Sequence, residues 1–282
     1  MYMHLNVTPG AAQEANAEPA ALVFRTVLRG AVYLSWRNRR VRLDEDAWLV
    51  LDGREGCALQ ADPQGRAELL ADAVSHAERD AAFALAAASL VEAADALAPG
   101  QNEARGGMIF ADNLRSLDGP AGRRLIAIAR SRNAGRPQAE ERSDRVALVQ
   151  ESLGEELALR RKAARIACVK LATREQLLRR ILLATDFIAS RHDEPISLDE
   201  MARAASLSRF HFVRLFSLVH GETPHAFLLR KRTAVARRHL AVGSACSEAA
   251  TRAGFGSRSA LFRNLRKTAL LATGHDPCCL SA

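Results

Sequence analysis

The chain has 282 residues, enough for two domains that each bury a core. Apolar residues make up 48%, which excludes a disordered chain. No uncharged apolar run reaches the ~18–20 residues of a membrane span, and the first twenty residues lack the basic-then-apolar pattern of a signal peptide. A cytoplasmic protein without a membrane partner is expected.

The net charge of +8 is unevenly placed: residues 1–173 hold 23 basic and 23 acidic side chains, residues 174–282 hold 17 and 9. The whole excess lies in the last third. Such a local excess suits a surface that binds a polyanion and releases its counterions, or else a solvated basic face. Cysteine adds little chemistry, because Cys57, Cys168, Cys246, Cys278 and Cys279 are odd in number and lack Cys-x-x-Cys spacing.

In chain order, residues 1–18 show no periodicity around Pro9 and Gly10 and read as a loose tail. Short β-favouring runs follow at 22–28, at Val32, Leu34 and Trp36, at Val41 and Leu43, and at 47–51, separated by Gly30, Asn38, and Asp52 with Gly53. They predict an antiparallel sheet or small barrel. After about Ala71 the alanine-rich stretches predict helices over 81–97 and 122–132, then a polar loop over 135–144 and a helix over 146–170 with Leu148, Leu153, Leu157 and Ile166 near one face. That last helix is amphipathic and suits either a partner copy or its own sheet.

From Arg174 onward the pattern is helical. A helix over 175–190 is followed by a short one over 198–205, with Ser197 and Glu200 as a capping box. Ser208 caps a helix over 209–219, Gly221 stops it, and Pro224 opens a longer one through 241. Ser247 is expected to cap another short helix, Gly254 to break it and Ser257 to open the last.

Two segments of this third repeat each other. Ala202, Leu207, Ser208, Phe212, Phe216 and Gly221 to Pro224 correspond to Ala250, Phe255, Ser257, Leu261, Leu265 and Gly274 to Pro277. Each copy predicts a short helix, a tight turn and a second helix crossing at the small alanine, with Leu207 or Phe255 plugging the turn. The outward face of the first copy carries Arg209, Phe210, Val213 and Arg214. That of the second carries Arg258, Ser259, Phe262, Arg263 and Arg266, followed by Lys267. Arginine pairs with guanine or phosphate and phenylalanine or valine packs on a thymine methyl, so both faces suit a DNA major groove.

Residues 177–277 resemble the DNA-binding domain of the AraC/XylS family of bacterial transcription regulators. The resemblance rests on Pro195, Ile196, Ser197 and Leu198, Met201 and Ala202, Leu207 and Ser208, 211–216, 221–224, Arg232, Ala236, Arg237 and Leu240, then Ala250, Gly254, Phe255, Ser257 and Arg263. It implies two helix-turn-helix units, about 197–219 and 246–267, joined by a linker helix over 224–242 within a DNA-binding domain at 174–282. Such units enter successive major grooves ~34 Å apart. By the resemblance, base reading falls on Phe210, Val213 and Arg214 and on Arg258, Ser259, Phe262 and Arg263. RNA polymerase would be a further partner. The C-terminal end departs from the family pattern: 268–273 adds about one helical turn, Leu261 and Leu265 replace aromatics, and Cys246 and Ala249 stand for larger aliphatics. A less well-packed second unit is expected.

Residues 19–170 resemble the cupin-like effector-binding or dimerisation domain of the same family, through Gly30 and 41–53 for the barrel and 108–114 and 151–157 for the helices after it. The fold class expected is α+β, with a cupin-like β half and flanking helices followed by an all-α domain. Metal-dependent cupin chemistry would need a His-x-His, a carboxylate and another histidine, and only His4 and His76 precede His192. A methyl-acceptor repair protein would need a cysteine cluster upstream, where only Cys57 and Cys168 stand. Neither an enzyme nor a cofactor or metal is expected. Trp36, Trp48 and Tyr33 could line an effector pocket or pack in a core, Arg25 and Arg29 could hold an anion or face solvent, and His211 suits a structural or phosphate-adjacent place. The expectation is a ligand-responsive activator, with a small-molecule effector and a homodimer as possible partners. Its rival is a DNA-associated interaction protein with a degenerate second unit.

Overall fold

A computed structural model describes residues 2–7, 12–14, 20–62, 65–97, 110–131, 137–167 and 170–273. The chain divides into two compact units, Met1–Asp186 and Phe187–Ala282.

The first unit holds two antiparallel sheets. The strands are β1 (Tyr2–Val7), β2 (Ala12–Glu14), β3 (Leu22–Arg29), β4 (Ala31–Trp36), β5 (Arg39–Asp44), β6 (Ala47–Asp52), β7 (Ala58–Ala61), β8 (Ala67–Val74) and β9 (Arg115–Ser116). One sheet runs β1-β8-β3-β6-β9 and the other β2-β7-β4-β5, with β4 packed against β8 and β5 against β3 and β6. β3 shows no polar alternation because both its faces are covered. Phe24, paired with Val50 and Asp72, faces the helices, while Val23 packs on the other side with Ala20, Ala71 and Ala73. The hairpin from β4 to β5 turns on Arg37 and Asn38, both at positive φ (44° and 63°), the geometry whose twist matches the flanking strands. Gly30 sits at φ +81°, where an added Cβ would lie 2.5 Å from the Arg66 carbonyl.

Four helices follow: α1 (His76–Leu97), α2 (Pro120–Ser131), α3 (Gln138–Ala164) and α4 (Leu171–Ser190), the last running on into the second unit. Leu125, Ile128, Leu148, Val149 and Leu153 close one core with Phe24, Trp48, Val50, Leu70 and Val74. The apolar face of α3 is therefore spent on its own unit.

Several expectations are corrected. The proposed tail contains β1, paired in register from Tyr2 with Asp72 to Val7 with Ala67, and β2, paired with β7. Backbone pairing with a neighbour needs no local periodicity. Residues 67–74 are strand although rich in alanine and leucine, since pairing to β1 and β3 on both sides overrides helix propensity. The polar stretch placed in a loop is helical from Gln138, with Glu140 and Glu141 in the first turn and Arg161 and Lys162 in the last, charges that suit the helix dipole. That helix ends at Ala164 rather than continuing to 170. Phe110 to Leu114 is not helical but leads into β9; Met108 and Ile109 lie outside the described residues.

An ionic cluster ties α4 to this unit. Asp186 accepts hydrogen bonds from the Leu114 N–H at 2.8 Å and from Arg39, while Asp112 takes Arg39 at 3.0 Å and the Trp36 indole N–H at 3.0 Å. Burial pushes the Asp186 carboxyl up to about 7 against the pull of Arg39 and the Leu114 N–H.

Candidate nucleic-acid interface

The second unit contains α5 (Leu198–Ala204), α6 (Arg209–His220), α7 (Pro224–Ala241), α8 (Cys246–Arg252) and α9 (Arg258–Thr273). The Ser197 hydroxyl accepts from the Glu200 N–H, and the Glu200 carboxylate accepts from the Ser197 N–H, completing the capping box. That backbone contact holds Glu200 below the usual carboxylate range. Thr223 caps α7 with Pro224 in its first turn, and Ser257 caps α9 by accepting from the Ala260 N–H at 3.1 Å. Two capping expectations change. Ser208 occupies its N-cap position, but its hydroxyl meets the His211 ring at 3.1 Å instead of a backbone N–H. Ser247 lies inside α8, whose N-cap is Ala245.

The repeat seen in sequence is a repeat of geometry. The Leu207 N–H donates to the Ala202 carbonyl at 3.0 Å, and the Phe255 N–H to the Ala250 carbonyl at 2.8 Å. The preceding residues, Ser206 (φ 52°) and Gly254 (φ 78°), both take the left-handed turn. Ala202, Phe212 and Phe216 are buried in the first unit of the repeat and Ala250, Phe255 and Leu261 in the second. The second unit is thus not loosely packed: Ala249, Ala250, Ala253, Phe255 and Leu261 share a core with Val235 and Ala236 of α7. The small Ala249 and Ala250 pack α8 on α7, and α9 runs on through 268–273.

The two halves are bound together through α7. Phe227 meets the Phe216 ring edge-on at 5.6 Å. The Arg232 guanidinium donates to the carbonyls of His192 and Glu194, both at 2.6 Å, in the loop ahead of α5. Against that loop lies the turn between α8 and α9: an added Cβ on Gly254 would stand 2.5 Å from the His192 carbonyl oxygen. Burial pushes the Arg232 pKa down against the pull of the Asp193 carboxylate.

The residues expected to meet DNA lie as follows. On α6, Phe210 is 73% exposed, Arg214 is exposed and Val213 half-buried. Arg209 is exposed but bidentate with Asp199 of α5, whose hydrogen bonds raise its pKa. On α9, Ser259, Arg263, Arg266 and Lys267 are exposed, and Arg258 sits 6.0 Å from the ring centroid of Phe262, which is 43% exposed. All ten occur in the first three turns of their helices, six on α9 and four on α6. The sequence reading missed Asp199 and gave Arg232 no role; ten residues separate Asp199 from Arg209, beyond any helical periodicity.

In the first unit, Trp48 is a core residue, stacked on Phe24 with its N–H donated to the Ser116 carbonyl at 3.2 Å. Trp36 is buried against Asp112, and Tyr33 lies under the Arg40 guanidinium at 4.4 Å. Arg29 is exposed, whereas Arg25 is buried on the β3 face opposite Phe24, where desolvation lowers its pKa. The basic run around the β4–β5 hairpin is largely neutralised, Arg37 by Glu55, Arg39 by Asp112 and Asp186, and Arg42 by Asp62.

Two short-helix, turn and long-helix units on one linker helix define a tandem helix-turn-helix DNA-binding domain. Residues 201–272 match a family model described as a helix-turn-helix domain. No curated protein matches the chain. Similar solved structures include ToxT from Vibrio cholerae (10% identity, TM-score 0.40, covering 98% of this chain and 96% of that one). Others are ToxT of Vibrio cholerae strain SCE256 bound to an unsaturated fatty acid (9%, 0.37, 98% and 96%) and the AraC-like transcriptional activator CuxR (13%, 0.30, 89% and 79%). Among the described residues no helix is long and apolar enough to cross a membrane.

Proposed function

We propose that the chain is a sequence-specific, ligand-responsive activator of transcription, which binds double-stranded DNA through α6 and α9 and recruits RNA polymerase. Phe210, Val213 and Arg214 meet one major groove, with Arg209 beside them turned to Asp199, and Arg258, Ser259, Phe262, Arg263, Arg266 and Lys267 meet the next. The double-sheet unit senses a small-molecule effector or mediates a homodimer. The observation that carries this reading is the pair of closed helix-turn-helix cores on α7, each with an exposed face of arginine and phenylalanine in the basic part of the chain. The closed second core speaks for two working units over a degenerate one.

The test is a fluorescence anisotropy titration across salt on a duplex enriched from a random pool, with random duplex as competitor. Replacing Arg214 or Arg263 by alanine is expected to cost about 1–3 kcal/mol on the enriched duplex alone. Lys267→Ala should weaken all duplexes alike and lower the salt slope by about one. Equal losses on both duplexes for Arg214→Ala would remove base reading from that residue.

A further inference from the structure

The first turn of α6 differs from that of α9 in what it leaves bare. Phe210 is 73% exposed, and Val213 stands three residues on along the same stripe. Leaving a phenylalanine ring in water forgoes its burial energy, which a bound partner can recover. The one cation on that turn, Arg209, is turned to Asp199 of α5 through both its Nε and an Nη. The first turn therefore presents carbon rather than charge, and the exposed Arg214 stands one turn further on. The first turn of α9 presents Arg258 and Ser259 instead, and Phe262, a turn on, is only 43% exposed with Arg258 over its ring.

Among the groups that base pairs display in the major groove, the apolar one is the C5-methyl of thymine. We propose that α6 reads a thymine methyl through Phe210, flanked by Val213, and that Asp199 is a positioning residue that holds Arg209 away from that contact. This rests on the reading of the domain as a sequence-specific DNA binder. The half-site met by α6 then contains an obligatory thymine, while the half-site met by α9 is read through guanidinium groups.

The experiment uses the full chain and the duplex enriched from a random pool, resynthesised with deoxyuridine for thymidine one position at a time, which removes the methyl and nothing else. One position in the α6 half-site should show about four-fold weaker binding by the wild-type chain, the equivalent of one buried carbon. Phe210→Ala should bind the thymidine and deoxyuridine duplexes equally. If a sequence is enriched but every swap leaves wild-type affinity unchanged, methyl reading is overturned and DNA reading stands. If the swap still weakens Phe210→Ala, the methyl is read by another residue and the assignment to Phe210 is overturned. If no sequence is enriched, the sequence-specific reading itself falls. The swap on the wild-type chain needs no variant, so misfolding cannot mimic the result.

Discussion

The pairing of Arg209 with Asp199 changes the electrostatics of α6 more than any charge count suggests. Both side chains are exposed, so the pair adds little to stability, yet it cancels a cation that phosphate would otherwise attract. Asp199→Ala should therefore release Arg209 to the DNA backbone. The expected outcome is tighter binding to random duplex and a salt slope steeper by about one ion, measured by anisotropy from low to moderate salt. An unchanged slope would mean that Arg209 already contacts phosphate with Asp199 in place. At this scale the sequence disclosed which residues stand on the outward face, because helical spacing alone decides that. It did not disclose Asp199 as a partner, since contacts between α5 and α6 depend on the crossing of two helices.

Among the elements of the second compact unit, the turn between α8 and α9 is the most constrained. Gly254 combines a left-handed φ of 78° with backbone atoms of His192 and Asp193 where a Cβ would go. Ser206, its counterpart in the first copy, accepts a left-handed φ with a side chain present and is exposed. Gly254→Ala is thus expected to destabilise the second unit by several kcal/mol, through both strain and forced separation from the loop, whereas Ser206→Gly should shift stability by less than about 1 kcal/mol. Urea unfolding followed by far-ultraviolet circular dichroism separates the two, and equal effects would argue that the His192 loop yields freely. The helices of this unit were legible because capping boxes, helix-stopping glycines and the 48-residue offset of Ala202 and Ala250 are local signals. β8 was not, because Ala67, Leu69, Leu70 and Ala71 favour helix and become strand only between β1 and β3.

For the whole molecule, the charge step near residue 173 falls ahead of the division between the compact units, which lies inside α4. The end of α4 in the first unit carries Asp186, whose carboxyl burial pushes up to about 7. A carboxyl held at about 7 when folded and near ~3.9 when unfolded binds its proton more tightly in the folded state. Its contribution is full below the unfolded value and is lost as pH rises through about 7. The buried Glu156, held low by Arg115 and Arg160 despite desolvation, has the opposite sign and weakens the fold as pH falls. Comparison with Asp186→Asn isolates the first effect: the stability of the wild type relative to this variant should fall between pH 4 and 7, by at most about 1.4 kcal/mol per unit. A difference that stays constant in urea melts over that range would show that Asp186 is ionised throughout.

The contacts of Arg232 and Gly254 with the loop at His192 also bear on how the chain would find its sites in a genome. Two readers joined by a slack tether accept their half-sites at many separations, and each short word recurs often by chance. Readers locked at one separation and one angular phase accept a single compound word. Such a word is rarer than either half, so the clamp at Arg232 does for target selection what further base contacts would otherwise have to do.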